Sequence, residues 1–122
     1  MNTSLRKGLR YELEARRYLE TGGLQLLESN YRCRLGEIDL IMRDADWVCF
    51  IEVRFRASTD FGGASASITR AKQRKIVKTA LYYLAGHPDL MQRALRFDAL
   101  LIQQTARGAL DYNWIKNAFY AE

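Results

Sequence analysis

Two alternating runs separated by a short polar turn constrain this chain more than any other feature. The first, GEIDLIMR, extends from Gly36 to Arg43, the second from Trp47 to Arg56, and Asp44-Ala45-Asp46 lies between them. Alternating polarity over these lengths predicts β-strands, and so short a connection predicts an antiparallel hairpin. Each strand also carries acids among its apolar residues, notably Asp39 in the first and Glu52 in the second.

The length of the turn decides whether these two acids meet, because a shift of one residue sends every side chain to the opposite face. A two-residue turn or a four-residue loop places Asp39 opposite Glu52 on one face. A three-residue loop separates them unless a bulge intervenes. Directly opposed residues have Cβ atoms about 4.5–5.5 Å apart, where like charges repel each other and a cation would relieve the repulsion.

Alternation also predicts which residues share a face of the hairpin. One set is Ile38, Leu40 and Met42, with Glu37 and Asp39 on the other side of that strand; a second set is Val48, Phe50, Glu52 and Arg54.

The rest of the chain predicts two helices and three further strands. The first helix extends from Leu5 to about Glu20, and the second begins at a Thr69 cap and ends at Gly86. The predicted strands are Leu24 to Leu27 continued by Tyr31 to Cys33, Leu95 to Ile102, and Leu110 to Ile115, with a small-residue loop from Ala57 to Ser67 and a turn near Arg107-Gly108. The second helix has a predicted apolar stripe of Ile76, Val77, Ala80, Leu81 and Leu84.

Glu12 lies on the first helix among apolar residues spaced for the core, which are Leu5, Leu9, Leu13 and Leu19. A helical projection turns this acid inward. The alternative is an ion pair with Arg16, four residues on, at the edge of the stripe.

The fold class predicted from this order is α/β, with a mixed central sheet flanked by helices in the order α-β-β-β-α-β-β. The 122 residues fit one domain, spanning residues 1–122. The 19 Lys and Arg against 14 Asp and Glu give a net charge of +5, which favours a polyanionic partner. Cys33 and Cys49 lack metal-site or redox spacing and are expected to be reduced, buried thiols of a cytoplasmic protein, and no segment is long and apolar enough to span a membrane.

Carboxylates that meet at a sheet edge suit a hard divalent cation such as Mg²⁺ or Mn²⁺, which takes few protein oxygens and completes its shell with water and phosphate. Such an ion polarises a phosphodiester and activates water. Arg54, two residues after Glu52 on the same strand face, could stabilise charge on a phosphate.

At these residues the sequence resembles the YraN family, a bacterial family whose fold is similar to Holliday-junction resolvases and restriction endonucleases of the PD-(D/E)xK nuclease superfamily. The likeness covers nearly the whole chain. It is carried by Gly8, Glu12 and Ala15, by GEIDLI at Gly36 to Ile41, by Glu52 to Arg54, by Lys72, by Arg96-Phe97-Asp98 and by Asn117-Ala118-Phe119.

The resemblance implies roles for particular residues. Asp39 and Glu52 would be metal ligands, Val53 would add its backbone carbonyl, and Glu12 would be a further ligand or would orient a water at the metal. Glu37 is a fourth acid, which the predicted register places opposite Arg54, where an ion pair would hold the guanidinium.

Two positions depart from the superfamily pattern. Ile38 replaces a common proline, a minor change because that residue supplies no ligand. Arg54 replaces the usual catalytic lysine, and a guanidinium stays charged and cannot act as a base. Arg54 could still clamp a phosphate, while water activation would pass to the metal, to Glu12 or to Lys72.

The second helix and the strand before it carry the predicted nucleic-acid-binding residues, which are Arg54, Arg56, Arg70, Lys72, Arg74, Lys75 and Lys78. Alternatively, the charged helix face is merely solvated. Three functions follow: a metal-dependent nuclease, such as an endonuclease on structured DNA; a nucleic-acid-binding module that keeps the fold without turnover; and a protein-interaction subunit with a vestigial site. DNA is favoured over RNA as partner, and cutting a two-fold symmetric junction would call for a homodimer.

Overall fold

The structure is a computed structural model that describes residues 3–56 and 68–121, with side chains from residue 10 onward. The predicted loop from Ala57 to Ser67 lies outside the described residues. In chain order the elements are α1 (Thr3–Thr21), β1 (Gln25–Cys33), β2 (Gly36–Asp44), β3 (Trp47–Arg56), α2 (Arg70–Ala85), the 3₁₀ turn η1 (Pro88–Leu90), β4 (Ala94–Gln104) and β5 (Leu110–Phe119). The predicted fold class and element order are confirmed.

The five strands form one mixed sheet in the order β1-β2-β3-β4-β5. β3 and β4 are parallel, and the other neighbouring pairs are antiparallel. Parallel neighbours need a long connection, and α2 lies within the one that joins β3 to β4. The strands thus lie in the sheet in the same order as they occur in the sequence.

The two faces of the sheet bury separate apolar clusters. On one face α2 packs Ile76, Ala80 and Tyr83 against Phe50 and Phe97. On the other face the cluster joins two residues of α1 to strands β2, β3 and β4: Ala15, Leu19, Leu40, Met42, Cys49, Ile51, Leu100 and Ile102. The sheet is thus covered by a helix on each side, and β3 is central to both clusters.

The predicted helix stripes are correct at most positions and wrong at two. Thr69 caps α2, since its Oγ1 accepts the backbone N–H of Lys72 at 3.2 Å. Leu81 and Leu13 were predicted to face the core, but both are exposed. On α1 the buried residues are Tyr11, Ala15 and Leu19, and the side chains of Leu5 and Leu9 lie outside the described residues.

The first strand is one continuous element rather than two short pieces. Its pairing with β2 shifts by one residue between Leu26 and Glu28, which leaves Leu27 as a bulge. Asn30 has a φ of 53°, a conformation that asparagine tolerates better than most residues. The bulge and this asparagine account for the apparent break in the apolar pattern.

A buried ionic cluster joins β4 to β5 and to the end of β2, and we call it the Asp98 cluster: Asp44, Arg96, Asp98, Trp114 and Asn117. Asp98 is fully buried and accepts from three N–H donors: Arg96 Nε, which shares its one hydrogen between the two oxygens at 3.0 and 3.1 Å, Trp114 Nε1 at 2.9 Å and the backbone N–H of Asn117 at 3.1 Å. Arg96 Nη2 donates to Asp44 at 3.0 Å. Burial opposes the charge on Arg96, but its contacts with Asp98 more than offset this, so the pKa of Arg96 lies above its usual value.

This cluster explains two motifs noted in the sequence. The Arg96-Phe97-Asp98 motif supplies the ion pair between Arg96 and Asp98. In the Asn117-Ala118-Phe119 motif, Asn117 has a φ of 56° and directs its backbone N–H toward the Asp98 carboxylate, where the β4–β5 pairing is irregular. Both motifs therefore have a structural role here.

Both cysteines are free, as predicted, but only Cys49 is buried, while Cys33 is half-buried. Among the described helices, neither α1 nor α2 meets the length and apolarity required to cross a membrane.

Candidate metal and phosphodiester site

The β2–β3 hairpin has the register that brings the two acids together. Asp44 pairs with Trp47 across a two-residue turn, and the ladder continues to Leu40 paired with Ile51. Ala45, the first turn residue, has a φ of 53°, as tight hairpin turns require at that position. The predicted two-residue turn is confirmed, and Asp39 and Glu52 come directly beyond the last paired residues of the two strands.

Asp39 lies where the regular ladder between β2 and β3 ends. Its Oδ2 accepts the backbone N–H of Val53 at 2.8 Å, so the carboxylate satisfies a donor of the neighbouring strand. The alternation predicted for β2 fails here: Leu40 packs in the cluster under α1, whereas Ile38 packs in the cluster under α2. The strand therefore changes its facing at Asp39, which periodicity alone does not reveal.

Glu52 and Arg54 face α2, and Lys72 of that helix lies next to Glu52. Lys72 Nζ lies 2.7 Å from Glu52 Oε1, and the Glu52 side chain is 11% exposed whereas that of Lys72 is 48% exposed. The first turn of α2 thus delivers a cation to the predicted ligand, as the sequence position of Lys72 after the loop suggested.

Glu12 joins the same group from α1. Its Oε2 accepts a hydrogen bond from Asn30 Nδ2 at 2.9 Å, and its charge contributes to the raised pKa of Asp39. The alternative ion pair with Arg16 is not formed; Arg16 pairs with Glu20 at 3.4 Å instead. Glu12, Asp39, Glu52 and Lys72 form what we call the Asp39 cluster.

Each acid of the Asp39 cluster uses one oxygen within the protein. Asp39 Oδ2, Glu52 Oε1 and Glu12 Oε2 have the partners given above, while Oδ1, Oε2 and Oε1 of the same residues have no hydrogen bond or ion pair among residues 10–56 and 68–121. The cluster therefore combines three anchored carboxylates with three oxygens that no residue of the described ranges engages.

The Asp39 cluster contains three acidic side chains and one cation, and this imbalance contributes to a raised pKa of Asp39. Burial is the largest cause that raises the pKa of Asp39 to about 7, and repulsion from Glu52 and Glu12 adds to it. The Val53 N–H and Lys72 act in the opposite direction without restoring the usual value. A second cation near the acids would lower this pKa.

The donor set fits a hard divalent cation that takes two carboxylates of the protein. Carboxylate oxygens are the ligands such ions prefer, and Mg²⁺ commonly binds through one or two carboxylates plus water and phosphate. Within the described part of the chain, no group of three or more His, Cys, Asp or Glu residues is arranged closely enough to hold an ion by itself. Asp39 and Glu52 would therefore be the principal ligands, with Glu12 close by.

The other predicted residues divide into those near the cluster and those elsewhere. Arg54 is half-buried beside Glu52 on β3, and its Nε is buried without a hydrogen-bond partner among the described residues. The predicted pair of Glu37 with Arg54 is wrong: Glu37 is exposed and pairs with Arg32 across β1 and β2 at 3.3 Å, because the β1 register places those two residues opposite each other. Arg56, at the end of β3, is exposed.

The cations of α2 are all exposed and fall on two sides of the helix. Lys72 and Lys75 line one groove, of about 630 Å³, together with Arg32 of β1. Arg70, Arg74 and Lys78 line a different groove of about 500 Å³ on the other side of the helix.

Sequence reasoning missed Asn30, which holds Glu12. The available signal was an asparagine between two apolar strand segments, a position where a left-handed residue is common. Its contact with a residue 18 positions earlier depends on how α1 packs beside β1, which local patterns do not report.

Comparison with known proteins supplies the family. A model described as "Uncharacterised protein family UPF0102" matches residues 11–102. The chain belongs to the UPF0102 family. The UPF0102 protein NE0719 of Nitrosomonas europaea is 50% identical over 119 residues, 98% of each chain. UPF0102 proteins of Dechloromonas aromatica (47% identical, 99% of this chain and 94% of the relative) and Alcanivorax borkumensis (43% identical, 91% and 89%) are similar over nearly their whole lengths.

Membership in the UPF0102 family confirms the resemblance to the YraN family seen in the sequence. These names carry no activity, so the function is argued from the Asp39 cluster.

Proposed function

We propose that this protein is a metal-dependent nuclease that hydrolyses nucleic-acid phosphodiester bonds at the Asp39 cluster, acting as an endonuclease on structured DNA. The observation that carries the proposal is the proximity of Asp39 and Glu52 just beyond the end of the β2–β3 ladder, each with one oxygen unengaged within the described chain. Retaining a carboxyl group at a cost in stability is typical of a functional site.

Asp39 and Glu52 would hold Mg²⁺ or Mn²⁺, with the Val53 carbonyl as a further oxygen donor, and Glu12 would orient a water at the metal. Such an ion supplies a Lewis acid for the phosphate and lowers the pKa of water. Asp39 is held by the Val53 N–H, and Glu12 by Asn30, so a hydrogen bond restrains each of these carboxylates in the folded protein.

Lys72 and Arg54 are the cations that would act on the phosphate. The Lys72 ammonium lies 2.7 Å from Glu52. It would stabilise negative charge on the phosphate oxygens and hold or give a proton at Nζ. Arg54 cannot serve as a base because its guanidinium stays charged, but its unsatisfied Nε offers a donor beside the acids. In this proposal Lys72 of α2 would take over the role of the lysine expected on β3.

The surrounding cations would bind the nucleic-acid backbone. They are Arg54, Arg56, Arg70, Lys72, Arg74, Lys75 and Lys78. Contacts of this type position a substrate and weaken with salt. DNA is the substrate we expect, and on a two-fold symmetric junction the protein would act as a homodimer in the cytoplasm.

The test is cleavage of labelled linear, single-stranded and four-way-junction DNA with Mg²⁺, Mn²⁺ or EDTA. Asp39→Asn and Glu52→Gln keep the side-chain shapes and remove the ligand charge, so both should abolish metal-dependent cutting. Asp44→Asn removes an acid of the Asp98 cluster and should cut normally. Cleavage that persists in EDTA, or in both site variants, would refute the proposal.

A second function is supported by two observations: the Lys72 ammonium already compensates Glu52, and Arg54 stands where a catalytic lysine is usual. A nucleic-acid-binding module without turnover would show salt-sensitive binding that survives Asp39→Asn, weakens when Arg70, Lys72 and Lys75 are changed to Ala, and never leads to cutting. Restoration of cutting by Arg54→Lys would show that the substitution at this position is what silences the site.

A further inference from the structure

We propose that the groove between α2 and the residue after β5 binds a single-stranded DNA segment that leads to the Asp39 cluster. This inference names the kind of substrate for the proposed nuclease function. It rests on that function for the claim that the bound segment leads to the Asp39 cluster. We call it the Tyr120 groove; it has a volume of about 500 Å³ and is lined by Arg70, Gln73, Arg74, Val77, Lys78, Leu81 and Tyr120.

The cations of the Tyr120 groove form a regular row. Arg70, Arg74 and Lys78 recur every fourth residue of α2. Residues at this spacing lie on one side of a helix, with a rise of about 6 Å between neighbours. Consecutive phosphates of an extended single strand can be matched by such a step. Among residues 10–56 and 68–121, none of the three has an acidic side chain within ion-pair distance, so their charge is available to an anion.

The groove also exposes apolar and aromatic surface beside that row. Tyr120 is 72% exposed just after β5 ends, and Leu81 is exposed on the adjacent side of α2. A duplex stacks its bases inside and presents mainly phosphates, whereas a single strand presents base faces that stack on aromatic rings. A row of cations next to an exposed tyrosine therefore matches a single strand better than a duplex.

The proposed function sets DNA as the class of that strand. The described lining contains three cations, one amide and two apolar residues besides Tyr120. Arg70 belongs to the same first turn of α2 as Lys72, which contacts Glu52. A strand that follows the row toward Arg70 thus reaches the turn of α2 that carries Lys72, and from there it would cross the start of the helix to the Asp39 cluster.

The experiment measures binding of a short fluorescein-labelled oligothymidine in EDTA by fluorescence anisotropy, with matched duplex DNA and oligouridine as the other probes. Tyr120→Ala should weaken binding to the single strand about fivefold or more, since base stacking on an aromatic contributes roughly 1–3 kcal/mol. Tyr120→Phe keeps the ring and should bind normally. Tyr82→Ala is the matched control, because Tyr82 is 47% exposed on α2 but outside the groove.

The charge row is tested by changing Arg70, Arg74 and Lys78 together to Gln. Three lost phosphate contacts should make the slope of log affinity against log salt shallower by about 2 for a single strand. A control variant with Arg17, Arg107 and Lys116 changed to Gln has the same net charge from exposed positions elsewhere and should retain the wild-type slope.

Three results would overturn the inference: equal losses in both triple variants, wild-type binding by Tyr120→Ala, or oligouridine or duplex DNA bound as tightly as oligothymidine. Wild-type DNA binding by every groove variant would instead mark the groove as a protein-docking surface. Because these measurements use EDTA, metal-dependent cutting that persists while groove binding fails would leave the proposed nuclease intact, and the reverse result would reject only the nuclease.

Discussion

Asp39 and Asp98 are both withdrawn from water, yet the groups around them differ in charge balance. Asp98 is enclosed by donors: Arg96, an indole N–H and a backbone N–H satisfy both of its oxygens. Asp39 has one backbone donor, two acidic neighbours and a single half-exposed lysine nearby. A buried acid that is fully paired contributes to the fold, whereas an underpaired acid costs stability and favours the binding of a cation.

The largest expected change in stability comes from disrupting the Asp98 cluster. Asp98→Ala would leave Arg96 buried with its main partner removed, so the free energy of unfolding should fall by about 3–5 kcal/mol. Urea denaturation measures this change. A loss below about 1 kcal/mol would mean that the Asp98 cluster is not the structural element described here.

The opposite sign is expected for Asp39→Asn. Asp39 has a pKa of about 7 in the folded protein against its ordinary value of 3.8, so ionising it costs folding free energy. The cost is absent below pH 3.8, grows as the pH rises toward 7 and is complete above that. The Asn variant still accepts the Val53 N–H and escapes the cost, so in EDTA at about pH 8 it should be more stable by up to about 4 kcal/mol, from the rise between these two pKa values at about 1.4 kcal/mol per pKa unit.

Urea denaturation of wild type and Asp39→Asn at about pH 4 and about pH 8 checks this prediction. The two proteins should differ little at the lower pH. An Asn variant that is equally or less stable at the higher pH would show that Asp39 is not under electrostatic strain.

A smaller loss is expected for Asp44→Asn. Asp44 is the outer partner of Arg96 and is partly exposed, while Asp98 continues to hold the guanidinium. The free energy of unfolding should fall by about 1 kcal/mol, the usual scale of a partly exposed pair. A loss as large as that of Asp98→Ala would indicate that the two acids act as an inseparable unit, and a double-mutant cycle would measure their coupling.

The smallest effect on folding is expected for Lys72→Met. The Lys72 side chain is 48% exposed. Its pair with Glu52 is therefore screened and should contribute less than about 1 kcal/mol. Its removal should nevertheless raise the pKa of Asp39 further, because Lys72 is one of the two groups that lower it. Carboxyl NMR titration of wild type and variant checks this direction, and a midpoint that is unchanged or lower would contradict it.

The sequence predicted the hairpin and offered the observed two-residue turn as one of three loop lengths, because strand alternation and turn length are local and determine register. It also predicted the capped start of α2 and hence the position of Lys72. The facing of Ile38, the partner of Glu37 and the exposure of Leu13 and Leu81 were missed, since bulges, strand register and the placement of α1 and α2 on the sheet arise from tertiary packing. The Asp98 cluster joins residues distant in the chain, so its role emerges only in three dimensions.

The most direct test of the difference between the two clusters is a calorimetric titration with Mn²⁺ at about pH 7, on wild type, Asp39→Asn and Asp44→Asn. The account predicts binding with proton release for wild type and Asp44→Asn, because a cation at the Asp39 cluster displaces the proton that Asp39 carries near this pH, and loss of both signals for Asp39→Asn. Equal binding and equal proton release by all three proteins would contradict it.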